Sequence, residues 1–212
     1  MHWLYRNNRY KQINNHFYNN LTTGILTGLL LFLFNVEFVQ SQKQIAYQIS
    51  PSLSSIKFTA LHMGFLEVHG SFQKFEGILS KPDNASLFDS LSGTLIIFVE
   101  SIDTENQLRD KSLRSDSFFQ AEKNPFITVN LESIKKFDTD YQADCTVKIM
   151  GKSHRLTVPL IVGLSSNDQS IINLNGKFSL SRSELELDFD SPMDSLIGDE
   201  IKVIFNMKAI RN

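Results

Sequence analysis

Alternation of apolar and polar residues along four stretches of the second half is the feature that most constrains this fold. In YQADCTVKIM (141–150), apolar side chains occupy every second position from Tyr141 to Ile149. The segments 155–164, 171–180 and 201–209 repeat the pattern, and SIKFTAL (55–61) shows it earlier. A period of two is that of a β-strand, whose successive side chains point to opposite faces. The pattern therefore predicts antiparallel sheet with one apolar face.

Turn-rich connections separate eight or nine such strands. The segment IMGKSH (149–154) is typical of a tight hairpin turn, and Pro159 inside a strand predicts an edge, a bulge or a strand end. No Pro-rich linker divides residues 42–212, so we expect a single domain there. Its strands can stack as a sandwich filled by side chains, or close as a barrel of about eight strands around a small ligand. Composition leaves both architectures open.

The first 41 residues have a different character from the rest. Three basic residues precede the apolar run LTTGILTGLLLFLF (21–34), and Val39 and Ser41 fit the small-residue positions of a cleavage site. This order is typical of a secretory signal peptide. An uncleaved membrane anchor is the alternative, which the shortness of the apolar run disfavours. The sequence therefore predicts export, either to the periplasm or out of the cell.

Several classes of function lack their usual signals in this sequence. The formal net charge is −2, whereas nucleic-acid binding needs clustered cations. The spacing of His62, His69, His154 and the single cysteine, Cys145, matches no standard zinc or copper site. No G-x-S-x-G nucleophile motif and no phosphate-binding glycine loop occur. We therefore predict a protein that is not an enzyme and requires no cofactor, with Cys145 packed in the core.

A charged segment interrupts the strands at TENQLRDKSLRSDSFF (104–119). Thr104 and Gln107 have the spacing of a capping box, and Asp110 and Arg114 that of an i,i+4 helical pair. We therefore expect a short helical insertion near residues 104–115, ended before the next strand by Pro125. It is either a solvated crossover helix followed by two core phenylalanines, or a cap over one end of a barrel with Phe118 or Phe119 facing the interior.

Three blocks in this order resemble the YceI-like family: SIKFTALHMGFLEVHGSFQKFEGIL (55–79), SIDTENQLRDKSLRSDSFFQAEKNPFITV (101–129) and VKIMGKSHRLTVPLIV (147–162). The resemblance covers most of residues 45–210. It implies an extended, lipocalin-like antiparallel barrel and an apolar cavity for a polyisoprenoid, such as an isoprenoid quinone or a polyprenyl carrier. The chain departs from the family in LSRSELELDF (180–189), which keeps Arg182 but has Leu185 and Glu186 where an aromatic residue and glycine are usual. This departure concerns the lining and width of one cavity mouth.

The resemblance and the alternation together give a set of candidate site residues. Polar gate candidates are His62, Arg109, Asp110 and Arg182, with an intramolecular anchoring role favoured for Arg109. The leading hypothesis is an exported lipid-binding protein, for which a transient membrane contact and a dimer are further options. The alternatives are an envelope enzyme and a stress-related structural barrel without a lipid. Ordinary core packing is the competing interpretation for each predicted lining residue, and these are Phe58, Phe72, Phe98, Phe118, Phe119, Val129, Val147, Val158, Phe178 and Phe205.

Overall fold

The computed structural model describes residues 43–86, 90–137, 140–164 and 170–211. The predicted signal peptide, residues 1–41, therefore lies outside the described residues. Within the described part, one α-helix, α1, spans Gln107–Arg114, and no helix there is long and apolar enough to cross a membrane. The strands are β1 Gln44–Ile49, β2 Ser55–His62, β3 Leu66–Phe72, β4 Phe75–Pro82, β5 Ser92–Phe98, β6 Ile102–Asp103, β7 Phe126–Phe137, β8 Asp140–Ile149, β9 Lys152–Leu164, β10 Ile171–Ser181 and β11 Ile197–Arg211.

The strand pairings close the sheet into a barrel. Among the described residues, the ring runs β1–β4–β5–β7–β8–β9–β10–β11 and returns from β11 to β1, with every pairing antiparallel. Strands β2, β3 and β6 continue β1, β4 and β5 beyond short interruptions and pair with one another in the same order. The predicted antiparallel barrel of eight strands with a short helical insertion is therefore confirmed, and the sandwich alternative is excluded.

Two local predictions from the sequence are also confirmed. The β8–β9 hairpin turns through Met150 and Gly151, whose φ angles of +47° and +79° are those of a type I′ turn. Glycine has no Cβ to clash at such an angle, which explains its place there. Pro159 lies where β9 stops pairing with β10, because that pairing covers only residues 161–164 and 172–175. A residue without an N–H group is tolerated at such an edge.

The two ends of the barrel differ. We call the closed end the one where β1 and β10 begin and β11 ends. We call the open end the one that carries the β2–β3 turn, α1, the β8–β9 turn and the segment 182–196. Buried side chains fill the closed end and exclude solvent from it; they are Ile45, Tyr47, Leu91, Ile134, Ile172 and Ala209.

Candidate functional site

An apolar cavity of about 310 Å³ occupies the part of the barrel towards the open end. Its boundary includes few polar residues: Lys57, Thr94 and Arg182 in the described part of the chain. The wall is the apolar face that the alternating sequence predicted. The four alternating strands of the second half contribute Ala143, Cys145, Val147, Ile149, Leu156, Val158, Leu160, Leu174, Phe178, Leu180, Ile201, Val203, Phe205 and Met207.

Two inward-facing glycines keep large rings against this wall. Phe58 pairs across the sheet with Gly70, and Phe205 pairs with Gly176. A Cβ at Gly70 would lie 2.2 Å from Cζ of Phe58, and one at Gly176 would lie 2.4 Å from Cε1 of Phe205. Each ring therefore covers the bare backbone of a neighbouring strand, an arrangement known to stabilise strand glycines. Because the rings lie over the glycines, space remains along the barrel axis.

Helix α1 and the residues after it cover part of the open end. Leu113 and Phe119 border the cavity, whereas Phe118 is buried beside it. The rings of Phe118 and Phe119 have centroids 5.1 and 5.3 Å from that of Phe189. Phe189 belongs to a second segment that covers the open end, residues 182–196. We call Phe118, Phe119 and Phe189 the aromatic clasp. The insertion is thus a cap joined to the segment 182–196, rather than a separate crossover helix.

The cap is anchored differently from the sequence prediction. The N-cap is Asn106, whose Oδ1 accepts a hydrogen bond from the N–H of Arg109 at 3.0 Å. The predicted capping box of Thr104 and Gln107 is wrong because Thr104 is buried before the helix, where its N–H and hydroxyl donate to Oδ1 of Asp110 at 2.9 and 2.6 Å. A carboxylate that accepts two buried hydrogen bonds holds the entry to the helix in place.

The polar gate candidates on α1 make contacts within the chain. Arg109 donates from Nε to the Thr104 hydroxyl and from Nη2 to the Thr104 carbonyl, both at 2.8 Å. The predicted helical pair of Asp110 and Arg114 is wrong, since Asp110 binds Thr104 and Arg114 donates to the carbonyl of Glu100 at 2.9 Å. Helix α1 is therefore tied to the chain just before it, and neither Arg109 nor Asp110 borders the cavity.

Arg182 is the gate candidate that borders the cavity and is also buried. Its guanidinium donates to the carbonyls of Ile197 and Leu187 at 3.0 and 2.9 Å, forms an ion pair with Asp194, and lies 5.0 Å from the ring centroid of Phe189. It therefore holds both ends of the segment 182–196. His62, the remaining candidate, is the last residue of β2 and pairs in register with Leu66 and Ile197 at the open end.

The covering segment 182–196 contains lining residues that the sequence prediction missed. Leu185, Leu187 and Phe189 border the cavity, while the acidic residues between them are exposed to solvent. This is the same period of two, hidden in a stretch whose charges favour a solvated loop. Glu186 has a φ of +50°, so it adopts a left-handed conformation at the position where the resemblance places glycine. Its Oε2 accepts a hydrogen bond from Nζ of Lys152 at 2.7 Å.

Eight of the ten predicted lining residues border the cavity, and Phe98 and Phe118 do not. Phe98 comes one residue after the inward-facing Ile97, so the strand period places it on the outer face. There its ring packs edge-on against Phe126 at 5.1 Å, with the ammonium of Lys74 4.2 Å from its centroid. Phe118 belongs to the aromatic clasp. Whether the other eight contact a ligand stays a prediction.

The side chains that border the cavity favour packing over chemical reaction. Cys145 lines the wall, and burial, followed by the neighbouring charges of Asp144 and Glu132, raises the pKa of its thiol to about 11. A thiol that stays protonated at neutral pH is a poor nucleophile. Across the described residues, no three His, Cys, Asp or Glu side chains are grouped so that they could hold a metal ion. The site therefore offers apolar surface and shape.

Comparison with known proteins gives consistent relatives. The family model described as "YceI-like domain" matches residues 47–209. A UPF0312 protein of Staphylococcus epidermidis is 28% identical over 156 residues, which cover 70% of this chain and 88% of that protein.

Two solved structures share the fold. Burkholderia cenocepacia BcnA has a TM-score of 0.66 at 19% identity, with 76% of this chain and 98% of that chain covered. A polyisoprenoid binding domain from Saccharophagus degradans has a TM-score of 0.65 at 16% identity, with 79% and 99% covered.

Proposed function

The chain belongs to the family of YceI-like domains, and from that premise we propose that it binds the apolar tail of an isoprenoid lipid in the barrel cavity. The candidate ligands are a polyisoprenoid and an isoprenoid quinone. The observation that carries the proposal is the cavity itself, a space inside the barrel whose wall is almost wholly apolar. The similarity in fold to a domain described as polyisoprenoid-binding supports it.

The composition of the wall favours a tail over a head group. Burying a polar group without a hydrogen-bond partner costs about 1–3 kcal/mol in proteins, and a charge costs more. Arg182 donates to chain carbonyls and to Asp194, so its charge is already neutralised within the cover. A ligand would therefore place its hydrocarbon in the barrel and keep its polar group at the open end.

The volume sets how much of a tail fits. An apolar cavity of about 150 Å³ holds one benzene molecule. On that scale about 310 Å³ holds about twelve carbon atoms, which is between two and three isoprene units. The packed closed end stops the chain from passing further. For a longer polyisoprenoid, the remaining units would lie outside the mouth or under the cover.

The energetics fit a carrier that exchanges its ligand. Each isoprene unit of five carbons gains about 3–4 kcal/mol on leaving water, at about 0.8 kcal/mol for each methylene group. The same units gain a similar amount in a bilayer, so the net preference between cavity and membrane is small. We therefore propose a binding role without catalysis. Export to the periplasm or out of the cell belongs to the same proposal and rests on the signal-like residues 1–41.

Native mass spectrometry after incubation with geranylgeraniol or a prenylated quinone tests the proposal. We expect a one-to-one adduct with the wild-type protein. Ala143→Phe places a ring in the cavity and should abolish the adduct, whereas Gln142→Phe, on the outer face of the same strand, should leave it unchanged. Circular dichroism confirms that both variants fold, and the milder Ala143→Leu should weaken binding if Ala143→Phe does not fold. Absence of any wild-type adduct would contradict the proposal.

A further inference from the structure

The turn between β2 and β3 presents large apolar side chains to solvent. Met63, Phe65 and Leu66 are 54%, 79% and 50% exposed, and we call these three residues the apolar tip. The turn passes through Met63 and Gly64 with φ angles of +57° and +78°, and the N–H of Phe65 closes it on the carbonyl of His62 at 3.4 Å. Exposing contiguous apolar side chains costs free energy, so such a group indicates a contact surface.

The apolar tip lies beside the mouth of the cavity. The N–H of Met63 donates to the carbonyl of Leu196 at 2.7 Å, so the turn is bonded to the end of the covering segment. Ala60 and Ile197, which border the cavity, are each within three residues of this bond. Met193, 48% exposed, lies one short turn before Leu196 and adds apolar surface on the same side. The exposed surface is thus adjacent to the place where a tail would enter.

The size of the apolar tip argues against a second copy of the chain as its partner. A large side chain buries about 150–250 Å² at most. With the exposures above, the three residues offer less than about 500 Å², whereas a stable interface needs about 800 Å² from each partner. Binding to a bilayer interface scales with the apolar area that is buried, so a few aromatic and aliphatic side chains support a weak, reversible contact.

The charges near the apolar tip indicate what kind of bilayer it suits. Within the β2–β3 hairpin, residues 55–72, Lys57 is the single lysine or arginine, and Glu67 follows the tip directly. Asp194 is ion-paired with Arg182, whereas Asp199, near the start of β11, has its pKa lowered by hydrogen bonds from Ser181 and Ser183. Attraction to anionic lipids requires clustered basic residues; the hairpin that carries the apolar tip has none beyond Lys57, and further basic residues of this end belong to α1 and the β8–β9 turn. The surface therefore suits a zwitterionic bilayer through apolar contact.

We propose that the apolar tip inserts into the interface of a zwitterionic lipid bilayer and docks the open end of the barrel on the membrane. Docking brings the cavity mouth to the surface where apolar ligands reside, so a tail can cross without passing through water. Docking is a property beyond tail binding. It requires no ligand, so vesicles without a prenol are enough to observe it.

Tryptophan quenching tests the docking residue by residue. In the full chain, Phe65→Trp is compared with Phe137→Trp, a control at the closed end whose parent side chain is 67% exposed. Both variants share the natural Trp3, so signals are read as differences from the wild type. With phosphatidylcholine vesicles that carry brominated acyl chains, we expect a blue shift and at least a twofold loss of the added emission for Phe65→Trp. Phe137→Trp should show neither.

Further outcomes of the same experiment complete the test. Added salt should leave the quenching of Phe65→Trp unchanged, because the contact is apolar. No quenching of Phe65→Trp, or equal quenching of both variants, would overturn the proposal. A blue shift of Phe65→Trp that depends on protein concentration and needs no vesicles would also overturn it, in favour of a second copy. If quenching fails while prenol adducts still form, tail binding survives and the docking alone is refuted.

Discussion

Gly70→Ala is the substitution that most directly tests why the barrel is hollow. The new Cβ would lie 2.2 Å from Cζ of Phe58 and 2.8 Å from both Cε atoms. Unstrained carbon–carbon contacts lie at about 3.5–4.0 Å, so the ring must move by at least about 1.3 Å. The backbone of β3 lies behind it, which leaves the cavity as the direction of movement. Phe58 would then occupy space that a ligand tail needs.

Two opposing contributions set the expected change in the free energy of unfolding. Overpacking a well-packed wall costs about 1–3 kcal/mol. Replacing a strand glycine by alanine returns about 0.5–1 kcal/mol, because glycine loses more conformational freedom on folding. We therefore expect Gly70→Ala to lower the free energy of unfolding by up to about 2.5 kcal/mol and to weaken the binding of a prenol. The double variant Gly70→Ala, Phe58→Leu should regain part of both losses, since leucine lacks the atoms that clash.

Urea denaturation and prenol titration of each variant provide the assay. Gly163→Ala is the matched control, because its new Cβ would meet nothing closer than 4.0 Å. That control should be neutral or slightly more stable, with unchanged prenol affinity. The reasoning fails if Gly70→Ala and Gly163→Ala behave alike, or if Gly70→Ala is destabilised while prenol affinity is unaffected.

Three further predictions concern the cap and the cavity wall. Leu113→Ala should destabilise the protein by less than the value of about 2–5 kcal/mol for a fully buried leucine, because Leu113 is half-buried, and should speed prenol release. Leu108→Ala on the exposed side of α1 should do neither; urea melts and stopped-flow release decide between them. Asp110→Ala removes the acceptor of two buried hydrogen bonds, so prenol release should quicken and amide exchange in α1 should rise, with Lys111→Ala as an unaffected control. The thiol of Cys145, with its pKa raised to about 11, should react with iodoacetamide at pH 8 about a hundredfold more slowly than an unperturbed thiol. Because the folded pKa is the higher one, the contribution of Cys145 to stability persists below about pH 9 and is lost as the pH rises through about 11.

The barrel and most of its lining could be predicted from the sequence because both depend on a local signal. Alternation assigns each side chain to a face, so Cys145, Val158 and Phe205 could be placed on the apolar wall before any partner strand was known. Period alone does not say which strand lies next. The ring of Phe205 covers Gly176 because the register of β10 and β11 places the two residues opposite each other. Alternation within one strand does not give that register, so the contact could not be predicted.

The sequence predicted the short helix that caps the barrel, but it did not predict the contacts of that helix. Thr104 matches a capping-box pattern, yet the backbone turns at Glu105, with a φ of +61°, and starts the helix later. The buried hydrogen bonds from Thr104 to Asp110 then form in place of the predicted capping box. Leu185 and Leu187 were missed for the opposite reason: their alternation was visible, but the acidic residues between them favoured a loop.

Photolabelling with a prenol that carries a diazirine at the far end of a three-unit tail tests the central claim most directly. If the barrel is hollow and open at one end, mass spectrometry should find the label on lining residues such as Ala143, Cys145 and Met207. Excess unlabelled prenol should remove it. Label confined to the outer face, or spread evenly over exposed apolar residues such as Ile161, would show that the tail does not enter the barrel and would contradict the account.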